Sequence, residues 1–204
     1  MNSVSFISKY GFKPIGIALV LAFVSYIADF ELLENIFIIL TLALIYIYRD
    51  TTRHIFENNQ SILSPIDGTV LAVDTVDDTY KLYVKVNLCN NHNLRAPFDG
   101  DINIVSSQHG VNLDPNTPKG QLLNEQVALE FIANDNAKST LSLQLISGFF
   151  NPKTELKDPI EHTTQGQKIG FFVDGLVIIT VDKKPLVTMG DKLKASQTII
   201  SKID

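Results

Sequence analysis

The stretch KLYVKVNL, Lys81 to Leu88, decides how this chain is read. Apolar residues fall at every second position, so an extended backbone sets Leu82, Val84 and Val86 on one face, as in a half-buried β-strand. LSLQLIS (Leu141 to Ser147) alternates in the same way, and DINIV (Asp101 to Val105) and VIITV (Val177 to Val181) are rich in β-branched residues. Gly and Pro stand between these runs, in SPIDG, APFDG, LDPNTPKG, FFNPK, KDPI and KKP, as turns between strands require. Beyond Arg53 the only candidate helix is a short one around Gln121 to Gln126.

Two stretches echo each other: ILSPIDGTVLAV (Ile62 to Val73) and LRAPFDGDINIV (Leu94 to Val105). Each is a Pro-x-Asp-Gly turn entering a β-branched strand, with proline presetting φ and glycine accepting a positive φ. The echo predicts two similar hairpins. A third stretch, VTMGDKLKASQTII (Val187 to Ile200), resembles the Gly-Asp turn of biotinyl and lipoyl half-barrels, although Lys183-Lys184 lack the flanking residues of a lipoyl-lysine hairpin. The expected body is mainly β: a hairpin-rich, partly closed barrel or sandwich with lipoyl-like half-barrel features.

The first quarter reads differently. Two apolar segments, about 14–28 and 36–48, flank a bend carrying Asp29, Glu31, Glu34 and Asn35. Each is short against the ~20 residues that cross a hydrocarbon core, and neither has a polar face, so a tight or re-entrant helical membrane hairpin is expected. A second apolar segment and the lack of a small-x-small site argue against a cleaved signal peptide. Lys9 and Lys13 precede the hairpin and Arg49 and Arg53 follow it, which places both ends on the cytoplasmic side of an inner membrane. The expected division is a membrane hairpin over residues 1–53 and a β domain over 54–204.

The chain has 204 residues, 45% of them apolar, and a net charge of -5. No basic stripe suits it to a nucleic-acid backbone. Its one cysteine, Cys89, reads as a small buried apolar residue, and no Cys/His spacing suggests a metal. His54, His109 and His162 are scattered and receive no chemistry.

Taken in order, the apolar hairpin ending in YIYRD, then ILSPIDGTV, NNHNLRAPFDG, LLNEQVALEF and GQKIGFFVDGLVII resemble the short, membrane-anchored form of the phosphatidylserine decarboxylases. The resemblance covers nearly the whole chain and implies a pyruvoyl enzyme. In that family a serine after a glycine attacks the preceding carbonyl, shifts the acyl group to oxygen and eliminates to leave a pyruvoyl group. That ketone takes the substrate amine as a Schiff base and acts as the electron sink for loss of carbon dioxide. An aspartate and a histidine assist, in the logic of a triad.

The resemblance puts Asp67 on the family's aspartate, His92 on its histidine and Asn124-Glu125 on an Asn-Glu pair of unspecified role. The processing glycine falls on Gly175 and the serine on Leu176, which has no hydroxyl. The chain holds no Gly-Ser or Gly-Cys step, and its one Gly-Thr step is Gly68-Thr69, inside the first turn. Plainer readings stand beside these: Asp67 capping its own turn, His92 as an exposed loop histidine, Leu176 as core filling. The expectation is a membrane-anchored, decarboxylase-like pseudoenzyme with no pyruvoyl group and no metal, binding membrane phospholipid or regulating lipid synthesis with an active decarboxylase or a second copy. The alternatives are an active carboxy-lyase with a displaced or partner-supplied site, and a β-barrel binding or scaffold module.

Overall fold

The computed structural model describes residues 6–53, 55, 61–134, 140–151, 153–157 and 162–202. His54, Pro152 of FFNPK and residues 158–160 of KDPI lie outside the described residues. The chain forms two compact units, Met1–Thr52 and Arg53–Asp204.

The first unit is a pair of helices, α1 (Phe12–Ile27) and α2 (Glu31–Ile47), joined through Asp29 at φ 62°. A short polar residue tolerates that left-handed conformation better than a branched one. The acidic bend is therefore shorter than the sequence suggested: Glu31 and Glu34 lie in the first turn of α2, where carboxylates complement the positive end of the helix dipole. Most side chains of both helices are apolar and exposed, among them Val20, Phe23, Ile36 and Ile39. Three polar ones bond inside their own helix, Ser25 Oγ donating to the Leu21 carbonyl (2.9 Å), Asn35 Nδ2 to that of Glu31 (2.8 Å) and Thr41 Oγ1 to that of Phe37 (2.7 Å). The 19 residues Lys9–Ile27 are long and apolar enough to cross a membrane, and they suggest membrane association.

The second unit is mainly β. Its strands are β1 (Ser61–Leu63), β2 (Gly68–Val76), β3 (Thr79–Val86), β4 (Asn93–Arg95), β5 (Gly100–Gln108), β6 (Gln126–Ala133), β7 (Thr140–Ser147), β8 (Glu155–Leu156), β9 (His162–Thr163), β10 (Lys168–Phe171), β11 (Gly175–Val181), β12 (Lys192–Leu193) and β13 (Ile199–Lys202). One short helix, α3 (Pro118–Leu123), precedes β6, slightly earlier than the sequence placed it. Thr117 caps it by accepting the Gly120 N–H (3.1 Å), and Pro118 fits the first turn.

Eight strands form one antiparallel sheet in the order β12-β2-β3-β11-β7-β6-β5-β9, an open sheet and not a closed barrel; β4-β10-β8 and β1-β13 make two smaller ones. The alternation read from the sequence sets the core: Leu82, Val84 and Val86 of β3 meet Leu141, Leu143 and Leu145 of β7 and Val177, Ile179 and Val181 of β11 in one buried cluster.

The two Pro-x-Asp-Gly turns are not hairpins. β1 pairs with β13 while β2 enters the large sheet, and β4 pairs with β10 while β5 enters the large sheet. Each turn is thus a corner where the chain changes sheets, and the two corners are bonded alike. Leu63 N–H donates to Pro97 O (3.0 Å) and Arg95 N–H to Pro65 O (2.9 Å). Ser64 exchanges bonds with the 196–198 turn, and Ala96 does so with the 166–167 turn. At the matched turn positions Ser196 has φ 61° and Gly166 φ 78°. The sequence echo therefore extends to the two segments that close the corners.

Candidate active site

Gly175 opens β11 between Val86 of β3 and Ser147 of β7, and Leu176 sits between Lys85 and Ile146. The backbone at Gly175 has φ +149°, and an added Cβ would collide with the Ile146 carbonyl oxygen and lie 2.7 Å from the Phe172 ring. No side chain fits there, which explains a glycine at this step. Leu176 is 3% exposed. It is not part of the main core cluster, because alternation turns it to the opposite face from Val177, together with the equally buried Ile146. The plain core-filling reading agrees with this burial, on the face opposite the main cluster. Bonds from the Asn116 backbone and side chain, more than Lys85, hold the Asp114 carboxyl below its ordinary value.

His92 is fully buried, which overturns the exposed-loop reading. Its Nε2 lies 3.2 Å from the Asn87 carbonyl oxygen, one residue beyond the Val86 that pairs with Gly175. A carbonyl only accepts, so Nε2 carries the proton of that bond. The His92 carbonyl accepts the Phe172 N–H (2.9 Å), and the ring meets Phe171 edge-on at 5.7 Å. His92 is thus tied to the short 171–172 segment leading into Gly175.

Asn124 and Glu125 reach the same strand end. The buried Asn124 amide donates to the carbonyls of Leu113 (2.8 Å) and Ser147 (2.6 Å) and accepts the Leu113 N–H (2.9 Å). Glu125 Oε1 accepts the Thr154 N–H (2.7 Å), and its carbonyl accepts the Ser147 N–H. Asn151, read from the sequence only as part of a turn, completes the cluster: it donates to Ser147 Oγ (2.8 Å) and accepts the Val173 N–H (2.9 Å).

Asp67 stands at the start of β2. In register, Thr69 faces Lys85 and Lys85 faces Leu176, so Asp67 is at the same end of the sheet, two strands or about 10 Å across. Its carboxylate receives both Nη atoms of Arg53 at 2.5 Å, and the Ala195 N–H at 2.8 Å. The amide bond is repeated at the second corner, where Asp99 accepts the Gln165 N–H (2.5 Å). That bond belongs to the corner, in place of the local turn cap expected from sequence; Arg53 distinguishes Asp67 from Asp99. Nothing in the sequence marked Arg53 as its partner.

Cys89 is exposed, not buried as its composition suggested, because NLCNN leaves β3 for the loop before His92. His109 is exposed, and His162 Nδ1 lies 3.0 Å from Asp101 across exposed β5 and β9.

A sequence profile described as phosphatidylserine decarboxylase matches residues 40–201. Phosphatidylserine decarboxylase proenzyme of Paraburkholderia phytofirmans is 31% identical over 209 aligned positions, covering 97% of each chain. The protein of the same name from Ralstonia pickettii is 31% identical over 82% of each chain, and that from Nitrosomonas europaea 32% identical over 81% of this chain and 80% of its own. Together with the mainly β body and the apolar N-terminal helix, these likenesses mean that the chain belongs to the phosphatidylserine decarboxylase family.

Proposed function

We propose that this protein is a non-catalytic member of the family, anchored on the cytoplasmic face of the inner membrane by residues 1–53, with residues 54–204 as a phospholipid-binding domain. The observation that carries this reading is Gly175-Leu176. The family's pyruvoyl group is made from the chain itself, by attack of a side-chain oxygen on the preceding carbonyl followed by elimination. Leucine has neither an attacking atom nor a leaving oxygen, so the residues at this step do not fit the group. The surrounding frame supports a retained binding role: His92, Asn124 and Glu125 bond the segments next to the strand end that carries Gly175, and Asp67 occupies the same sheet end. On this reading the protein binds a membrane phospholipid headgroup and acts on lipid synthesis through an active decarboxylase or a second copy of itself.

The test is intact mass of the purified full-length chain in detergent, with conversion of phosphatidylserine to phosphatidylethanolamine measured on the same sample. The expected result is one uncleaved mass and no conversion. Two fragments, the smaller carrying a carbonyl-reactive N-terminus, overturn the reading.

A further inference from the structure

The loops around the Gly175 end of the sheet expose a set of large apolar side chains that the domain does not use for its own core. Phe149 is 69% exposed and Phe150 57%, Leu122 70% and Leu123 48%, Val111 51% and Leu113 39%. Backbone and amide bonds tie them into one rim. Val111 N–H donates to Leu123 O (2.9 Å), Asn124 fixes Leu113, and Asn112 Nδ2 donates to the Asn151 carbonyl (3.0 Å). Gly148 N–H bonds Asp174 O, just before Gly175, and the Phe149 and Phe150 rings meet edge-on at 5.2 Å. A contiguous exposed apolar rim on a soluble domain marks a contact surface.

We infer that this rim docks on the surface of the lipid bilayer, with Phe149, Phe150, Leu122 and Leu123 entering the interfacial layer. The inference rests on the membrane anchorage proposed above and adds a second point of contact. Three features favour a bilayer as the occupant. The five chain steps from Tyr48 to Arg53 span at most about 18 Å, so the domain stays within reach of any membrane that holds the N-terminal helices. Paired aromatic and aliphatic side chains on loops suit the headgroup boundary, where ring faces are wetted on one side. The exposed Lys119 and Lys153 flank the rim and suit anionic headgroups, against two acids, Asp114 in the loop before α3 and the half-buried Asp174, whose carboxylate already accepts the Phe150 N–H (3.3 Å). Docking in this way brings the strand end carrying Leu176 and His92 to the level of phospholipid headgroups.

The chain contains no tryptophan, so single substitutions act as clean reporters. Full-length Phe149→Trp, Leu122→Trp, Phe23→Trp in α1 and Val76→Trp at the far end of β2 are each reconstituted into vesicles of phosphatidylcholine and phosphatidylglycerol, with and without bromine on the acyl chains near the headgroup. Interfacial insertion predicts that emission of the Phe149→Trp and Leu122→Trp variants falls about twofold or more in brominated vesicles, while the Val76→Trp signal is unchanged. Quenching of the Phe23→Trp variant alone overturns the docking rim and leaves the anchor standing. Blue-shifted but unquenched emission from the Phe149→Trp and Leu122→Trp variants means that a protein surface covers the rim, and also overturns the inference. No quenching at any position removes the membrane anchor and the rim together.

Discussion

At the scale of single residues, the carboxylate of Asp67 makes one bond that the second corner repeats and an ion pair that it does not. Its bond to the Ala195 amide has a copy at Asp99 and Gln165, so any acceptor of that shape maintains the corner. Its bond to Arg53 has no such copy among the described residues and joins two groups whose side chains are only 12% and 10% exposed. Asp67→Asn keeps an oxygen for Ala195 but leaves the guanidinium without its counter-charge. Breaking a largely buried pair from one side costs more than a surface pair is worth, so the variant is expected to lose about 2–4 kcal/mol, read as a lowered thermal midpoint of the full chain in detergent. An unchanged midpoint would show that Arg53 is solvated without Asp67. The sequence supplied Asp67 as a turn residue and as a family position. It held no sign of Arg53, because an ion pair across 14 residues depends on how the intervening chain returns.

At the scale of elements, Asn124 is the buried side chain that ties the loop between β5 and β6 to the sheet, beside the side-chain amides of Gln108 and Gln126, which bond the carbonyls of Leu122 and Gln121. Asn124 satisfies both backbone groups of Leu113 and the carbonyl of Ser147, and it is fully buried. Asn124→Ala removes the partners of three backbone groups at once. Each unsatisfied buried group costs about 1–3 kcal/mol, reduced where water enters, so a net loss of roughly 2–4 kcal/mol is expected. The loss should be local as well as global: amide hydrogen exchange should speed up first at Val111 and Leu113, before the strands of the large sheet. Uniform exchange across the domain would place the anchoring elsewhere. The periodicity of β3 and β7 was visible in sequence because alternation is a local property. The roles of the Pro-x-Asp-Gly corners were not, since a turn sequence fixes the local dihedrals but not which sheet the next strand joins.

At the scale of the whole molecule, the proposed anchor and β domain lead to a simple fractionation outcome. The full-length protein is expected to stay in the membrane fraction after alkaline carbonate washing, which strips proteins held only by charge or by a shallow rim, because buried apolar helices are insensitive to it. Release into the wash would reduce the anchor to a peripheral attachment. The sequence by itself determined the two-part organisation, the β class of the body, the buried faces of its strands and the hydrocarbon side chain at the Gly175-Leu176 step. These follow from composition, periodicity and covalent chemistry, which need only neighbours along the chain. Tertiary structure alone decided that the repeated turns are sheet-switching corners, that Leu176 lies on the opposite face from the main core, and that His92, Asn124, Glu125 and Asn151 gather at one strand end. Those facts arise from pairing between segments tens of residues apart, where hydrogen bonds and burial, not local propensity, choose the partner.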